Sequence, residues 1–119
     1  MILNDQAPTI YGDGEQTRDF TFIENVVDAN LLAAQSQGLG GQVFNVATGN
    51  SYSVNFVIAE LNRILGKNIQ SKYAPERAGD VKHSLADVSL ASRRLKFRPK
   101  VTFEEGLART VQEAIPPFA

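Results

Sequence analysis

Two short stretches of this sequence pair an arginine with an aspartate beside residues that turn the chain. They are Arg18-Asp19, after Gly12-Asp13-Gly14, and Arg77-Ala78-Gly79-Asp80, after Pro75. The planar fork of an arginine matches the oxygens of a diphosphate, and an aspartate carboxylate can accept hydrogen bonds from both hydroxyls of a ribose. Spacing alone leaves a second reading open, because charged loop residues are commonly solvated or paired with one another. Asn45 poses a similar choice inside the apolar run Gln42-Val43-Phe44-Asn45-Val46-Ala47. A buried amide there has to be satisfied, either by the backbone of a neighbouring loop or by a ligand. His83, three residues past Asp80, can reach a phosphate or cap the following turn.

Other chemistry is excluded by what the pattern lacks. A dinucleotide site needs a glycine-rich turn between a strand and a helix, so that the backbone can approach a pyrophosphate at the helix N-terminus. Gly12-x-Gly14 and Gly38-x-Gly40 each lead into a strand-like segment instead, which makes them turns. A tyrosine base activated by a lysine one helical turn away is also missing, since Glu15, Phe56 and Arg77 stand four residues after Tyr11, Tyr52 and Tyr73. His83 is the only histidine, which rules out a histidine-based metal cluster, and no cysteine is present. The lack of cysteine fits a reducing cytosol, so a cytoplasmic location is expected. Twelve basic against thirteen acidic residues give a net charge of −1, so no overall field draws the chain to a nucleic acid and any anion must be gripped locally. Neither a signal peptide nor a membrane span is expected from the N-terminal sequence or from the short apolar runs.

The elements that must carry these residues are short. With 119 residues, 43% hydrophobic and 21% charged, one compact domain is expected. Pro8-Thr9-Ile10-Tyr11 reads as a strand closed by the Gly12 to Gly14 turn, and Asp19 to Ile23 as a second, half-buried strand. A helix is predicted from Glu24 to about Ser36, with Val27, Leu31 and Ala34 on one face and Gly38 as its stop. Gln42 to Ala47 reads as a buried strand. Ser53 caps a helix whose face is Val54, Val57, Ile58, Leu61, Ile64 and Leu65, ended by Gly66. A strand from Asn68 to Ala74 follows, closed by Pro75. Asp87 then caps a short helix presenting Val88, Ala91 and Leu95, which ends before Pro99. Thr102 and Glu105 have capping-box spacing at the start of a last helix with Phe103, Leu107, Val111 and Ile115 on one face, ended by Pro116-Pro117. Strands alternating with helices, without repeats, indicate a small single α/β domain.

Taken in order, PTIYGDGEQTRDFTFIENVVDANLLAA, GQVFNVATGNSYSV, PERAGDVKHSLADVSLASRRL and PKVTFEEGLARTV resemble the C-terminal part of the extended short-chain dehydrogenase/reductases. More narrowly, they are similar to NAD-dependent epimerases and dehydratases acting on nucleotide sugars, and lean toward the UDP-glucose and UDP-N-acetylglucosamine 4-epimerases. The resemblance implies that residues 1–119 form the nucleotide-sugar-binding C-terminal domain, with Arg18 and Arg77 on the diphosphate and Asp80 on the ribose. It also implies contacts from Thr9 and Tyr11 beside the base and from Asn45 near the diphosphate. The family's Rossmann domain, with its glycine turn and Tyr-x-x-x-Lys pair, has no counterpart in these residues. The expectation is therefore a chain that binds UDP or a UDP-sugar, holds no NAD itself and is not catalytic alone. A homodimer, or a separate Rossmann domain pairing with the Gln42 to Ala47 strand, is the partner this reading implies.

Overall fold

A computed structural model describes residues 1–115. After a 3-10 turn at Ile2–Asn4, the chain runs β1 (Thr9–Tyr11), β2 (Thr17–Arg18), α1 (Ile23–Gln35), β3 (Tyr52–Ser53), α2 (Val54–Leu65), β4 (Lys72–Ala74), a π-helical turn (Ala91–Leu95) and α3 (Phe103–Ala114). The alternation of short strands and helices is the expected α/β class. β1 and β4 pair in parallel, Thr9 opposite Lys72 and Tyr11 opposite Ala74. β2 and β3 pair antiparallel, Thr17 opposite Ser53 and Arg18 opposite Tyr52. Among the described residues, no helix is long and apolar enough to cross a membrane.

Where local signals are strong, the elements begin and end as the residues dictate. Ser53 Oγ accepts the Phe56 N–H over 3.1 Å at the start of α2, and Gly66 closes that helix at a φ of 63°. The six apolar positions expected on the inner face of α2 are all half-buried. Thr102 Oγ1 accepts the Glu105 N–H over 3.2 Å at the start of α3, with Phe103 and Val111 buried beneath it. Ile115 falls outside that helix and is exposed rather than part of its inner face. Pro116 and Pro117, expected to end it, lie outside the described residues.

Three expected strands differ. Asp19 to Phe22 forms no ladder, and the strand is Thr17–Arg18 instead. The Asp19 carboxylate takes the N–H groups of Thr48 and Gly49, over 3.0 and 2.8 Å, so side-chain bonding to a loop replaces backbone pairing there. Of the expected Asn68 to Ala74 strand only Lys72–Ala74 pairs; farther back, Asn62 holds the Ile69 backbone from both sides, donating to its carbonyl and accepting its N–H. Gln42 to Val46 forms no strand among the described residues. Phe44 and Val46 still turn inward onto Ala91, Leu95 and Phe97, while Val43 is 84% exposed.

The inner face of α1 is also the opposite of the one expected. Asn25 and Ala29 are buried, whereas Ile23, Val27 and Leu31 are exposed and Ala34 lies on that same outer side. Helical periodicity identifies an apolar stripe without saying what lies against it, and α1 is apolar on more than one side. The small Ala29 lets α1 approach the π-helical turn closely, where Ala91 is fully buried. Asn25 then bonds the segment before α3: its Nδ2 donates to the Val101 carbonyl over 2.9 Å, and its Oδ1 accepts the N–H groups of Lys100 and Val101. A second cluster lies beside α2 and α3, where Tyr52 stacks on Phe103 with ring centroids 4.1 Å apart and Phe56 and Phe20 close around them.

The chain is a slab of 50 × 40 × 17 Å with a radius of gyration of 17.0 Å. A compact chain of this length has a radius of about 13.5 Å. The chain is thus less compact than expected of a single small domain, and large apolar side chains such as Ile23, Val43 and Leu85 are exposed.

Candidate functional site

β1 and β2 are joined by the turn Gly12 to Gln16, in which Gly12 and Gly14 take φ values of 94° and 80°. Such angles suit glycine, and they reverse the chain between two strands rather than opening a helix. This geometry does not fit a dinucleotide pyrophosphate, which needs a strand, a glycine turn and a helix N-terminus in sequence. On β1 the side chains alternate: Ile10 is buried, while Thr9 and Tyr11 emerge on the open side.

The loop from residue 75 to 84 follows β4, the parallel partner of β1, and therefore starts beside Tyr11 and Gly12. The Gly12 N–H donates to the Ala74 carbonyl over 2.9 Å. Arg77 folds back over the Tyr11 ring, its guanidinium carbon 3.7 Å from the centroid. The Asp80 N–H donates to the Arg77 carbonyl over 3.3 Å, which closes the turn predicted around Gly79. At its far end the loop lies along β2: Thr17 N–H donates to the Lys82 carbonyl over 2.9 Å, and Ser84 N–H to the Thr17 carbonyl over 3.1 Å. Arg18 is at the same place, its guanidinium donating to the Thr17 carbonyl over 2.7 Å and to the Lys82 carbonyl over 3.5 Å.

Thr9, Tyr11, Arg18, Arg77 and Asp80 thus belong to one edge, built from β1, β2 and a loop laid across both. Arg77 and Asp80 are exposed and Arg18 is half-buried, so the edge is open to solvent. Asn45 is tied elsewhere. It is exposed rather than buried, and its amide donates to the Asp87 carbonyl over 3.2 Å, the loop-backbone alternative of the two read from its sequence position. His83 Nδ1 lies 3.0 Å from Thr17 Oγ1 and fastens the loop end to β2. Asp19, next to Arg18, is committed to the Thr48-Gly49 backbone and to Thr48 Oγ1.

Three residues of this edge are missed by sequence reasoning. Lys82 Nζ lies 2.6 Å from both carboxylate oxygens of Asp13, and that ammonium holds the Asp13 carboxyl below the ordinary aspartate range. Asn55, in the first turn of α2, donates from its side chain to the Asp13 carbonyl over 3.0 Å and from its backbone to the Gly14 carbonyl over 3.0 Å. For Asn55 the signal is tertiary rather than local: besides its positive φ, Gly14 leaves no room for a side chain, since a Cβ there would lie 2.0 Å from Asn55 Oδ1. Lys82 and Asp13 are 69 residues apart and carry no such signal. Tyr52 is no candidate base, since burial in the aromatic stack, with Glu104 and Asp19 nearby, pushes its phenol up.

The family profile described as GDP-mannose 4,6 dehydratase matches residues 1–110. UDP-glucuronate 4-epimerase of Thermodesulfobacterium geofontis is 37% identical over 111 residues, which cover 92% of this chain and 34% of that protein. Among solved structures, the UDP-N-acetylglucosamine 4-epimerase of Methanobrevibacter ruminantium, in complex with UDP-N-acetylmuramic acid, is 44% identical with a TM-score of 0.85. The match covers 93% of this chain and 35% of that one. The UDP-glucuronic acid 4-epimerase of Bacillus cereus, in complex with UDP-glucuronic acid and NAD, is 30% identical with a TM-score of 0.86, covering 96% and 38%. The chain spans about a third of the length of the relatives it matches.

Proposed function

Because the chain belongs to the NAD-dependent epimerases and dehydratases of the extended short-chain dehydrogenase/reductase family, we propose that it is their nucleotide-sugar-binding portion, gripping a UDP-sugar. Arg18 and Arg77 neutralise the diphosphate, Asp80 accepts hydrogen bonds from the ribose hydroxyls, and Thr9 and Tyr11 line the base; Asn45, whose amide donates to the Asp87 carbonyl, contacts the diphosphate only on releasing that bond. The observation that carries this reading is the loop laid across β1 and β2, which puts Arg77 against Tyr11 and the Lys82 carbonyl against Arg18. Two arginine forks beside an aspartate suit a diphosphate next to a diol. Three relatives named for UDP-sugars each match over more than 90% of this chain, which supports the reading.

When bound in the relatives named with it, NAD supplies hydride chemistry. The Gly12 to Gly14 turn leads from one strand to another and opens no helix N-terminus for a dinucleotide pyrophosphate, so on this reading the part of these residues is to bind and orient the sugar nucleotide. Titration with UDP tests the reading: measurable heat, reduced in Arg77→Ala and in Asp80→Ala, is expected. Silence at millimolar UDP, or binding indifferent to both substitutions, removes it.

A second reading, that the chain works with a separate cofactor domain, is favoured by the exposed stripe Ile23, Val27 and Leu31 and by the Gln42 to Val46 segment, which joins no ladder among the described residues. A coupled assay with NAD and UDP-N-acetylglucosamine, with and without such a domain, tests it. A dimer in light scattering that binds no UDP would favour a homodimerising fragment instead.

A further inference from the structure

Arg77 and Asp80 are carried by a loop, and a nucleotide grip needs that loop in one position relative to Arg18. Its inner turn bond is long, at 3.3 Å from Asp80 N to Arg77 O. The loop is instead secured at Lys82, from both ends of that residue. Its carbonyl accepts the Thr17 N–H, and its ammonium meets both oxygens of Asp13.

Asp13 is a fixed anchor. Its turn is held by two bonds from Asn55, whose Oδ1 in turn accepts the Tyr73 hydroxyl over 3.0 Å. Asn55 belongs to α2 and Tyr73 to β4, so the turn is tied to a helix and to the strand that feeds the loop. The Asp13 Oδ1 also accepts the Glu15 N–H over 2.9 Å, which sets the carboxylate's direction.

We propose that Asp13 and Lys82 form an ionic clasp that positions the Arg77 to Asp80 turn beside Arg18, making both residues positioning residues for the nucleotide. The clasp rests on the nucleotide-binding reading for its purpose. Lys82 is not itself a diphosphate ligand in this arrangement, because its charge is already met by Asp13. Both side chains are half exposed, and exposed ion pairs are individually weak, so the expected effect on affinity is roughly two- to fivefold.

Charge reversal separates a clasp from a mere field. Asp13→Lys adds positive charge beside the proposed diphosphate site, so a simple field tightens UDP binding. The clasp predicts weaker binding, because two ammonium groups push the loop away. Lys82→Glu weakens it as well, and the double variant Asp13→Lys/Lys82→Glu, which keeps the wild-type net charge, restores affinity to near that of the wild type. The Glu15 N–H loses its carboxylate acceptor in both Asp13→Lys and the double variant, so comparing those two isolates the pair. Tighter binding in Asp13→Lys, or a double variant no better than the singles, overturns the clasp. Hydrogen exchange at the Thr17 and Asp80 amides supplies a reading that needs no nucleotide: faster in each single variant and slowed again in the double. If the wild-type chain binds no UDP, the functional reading fails while this exchange pattern still decides the clasp. If UDP binds but exchange and affinity ignore all three variants, the clasp fails and the functional reading stands.

Discussion

The Arg77 guanidinium carbon lies 3.7 Å from the centre of the Tyr11 ring, so the loop and β1 meet through a cation on an aromatic face. At an exposed site such a stack contributes about 0.5–1 kcal/mol. A hydrogen bond to a charged group contributes about 1.5–3 kcal/mol. A diphosphate bound at the proposed site would therefore draw Arg77 off the Tyr11 ring. Arg77→Ala is expected to weaken UDP binding roughly ten- to hundredfold, and Arg77→Lys to restore only part of it, because the planar fork is lost. Tyr11→Leu should weaken binding less than Arg77→Ala. Calorimetric titration of the three variants checks this order, and equal affinities would contradict it.

Asn25 is buried and makes three hydrogen bonds to the backbone of Lys100 and Val101. Asn25→Leu leaves two N–H groups and one carbonyl without a partner. The expected loss is about 3 kcal/mol, read from the midpoint of a urea unfolding curve. A loss below about 1 kcal/mol would mean that water replaces the amide.

On α1 the two faces should respond oppositely. Val27→Gln and Leu31→Gln alter exposed positions and are expected to change stability by less than about 0.5 kcal/mol. Ala29→Leu forces a large side chain against Ala91 and is expected to cost about 1–3 kcal/mol. Thermal unfolding distinguishes the two. Destabilisation by the glutamine variants would restore the Val27 face as the inner one.

The Asp13 carboxyl is lowered on folding by the Lys82 ammonium first and by the Glu15 N–H second. A carboxyl lowered in this way contributes stability above its unfolded pKa, about 3.9, and loses it as pH falls through the lower folded value. Protonation of Asp13, which ends its charge pairing with Lys82, therefore requires acid below the ordinary aspartate range. Carboxyl NMR titration should find the Asp13 midpoint below the ordinary range, and Lys82→Gln should move it upward. A midpoint unmoved by that variant would assign the shift to the Glu15 N–H alone.

Much of the architecture was legible in the residues because its causes are local. Ser53 and Thr102 cap the helices that follow them, Gly66 takes the left-handed angle that ends α2, and Gly12 and Gly14 turn β1 into β2. Each of these acts within a few residues. The pairing of arginine with aspartate also marked the stretches that the fold brings to one edge. The tertiary structure alone decided which side of α1 faces inward, because Val27 and Ala29 both satisfy a helix and only the π-helical turn, some sixty positions on, selects Ala29. It also decided that Gln42 to Val46 lacks a ladder among the described residues, since a strand is defined by its partner. Asn45 went to the Asp87 backbone and Asp19 to the Thr48-Gly49 turn for the same reason. The sequence by itself determined which residues can bond and where the chain bends. Which distant groups complete those bonds, Asp13 with Lys82 or Arg77 with Tyr11, depended on packing between segments far apart along the chain.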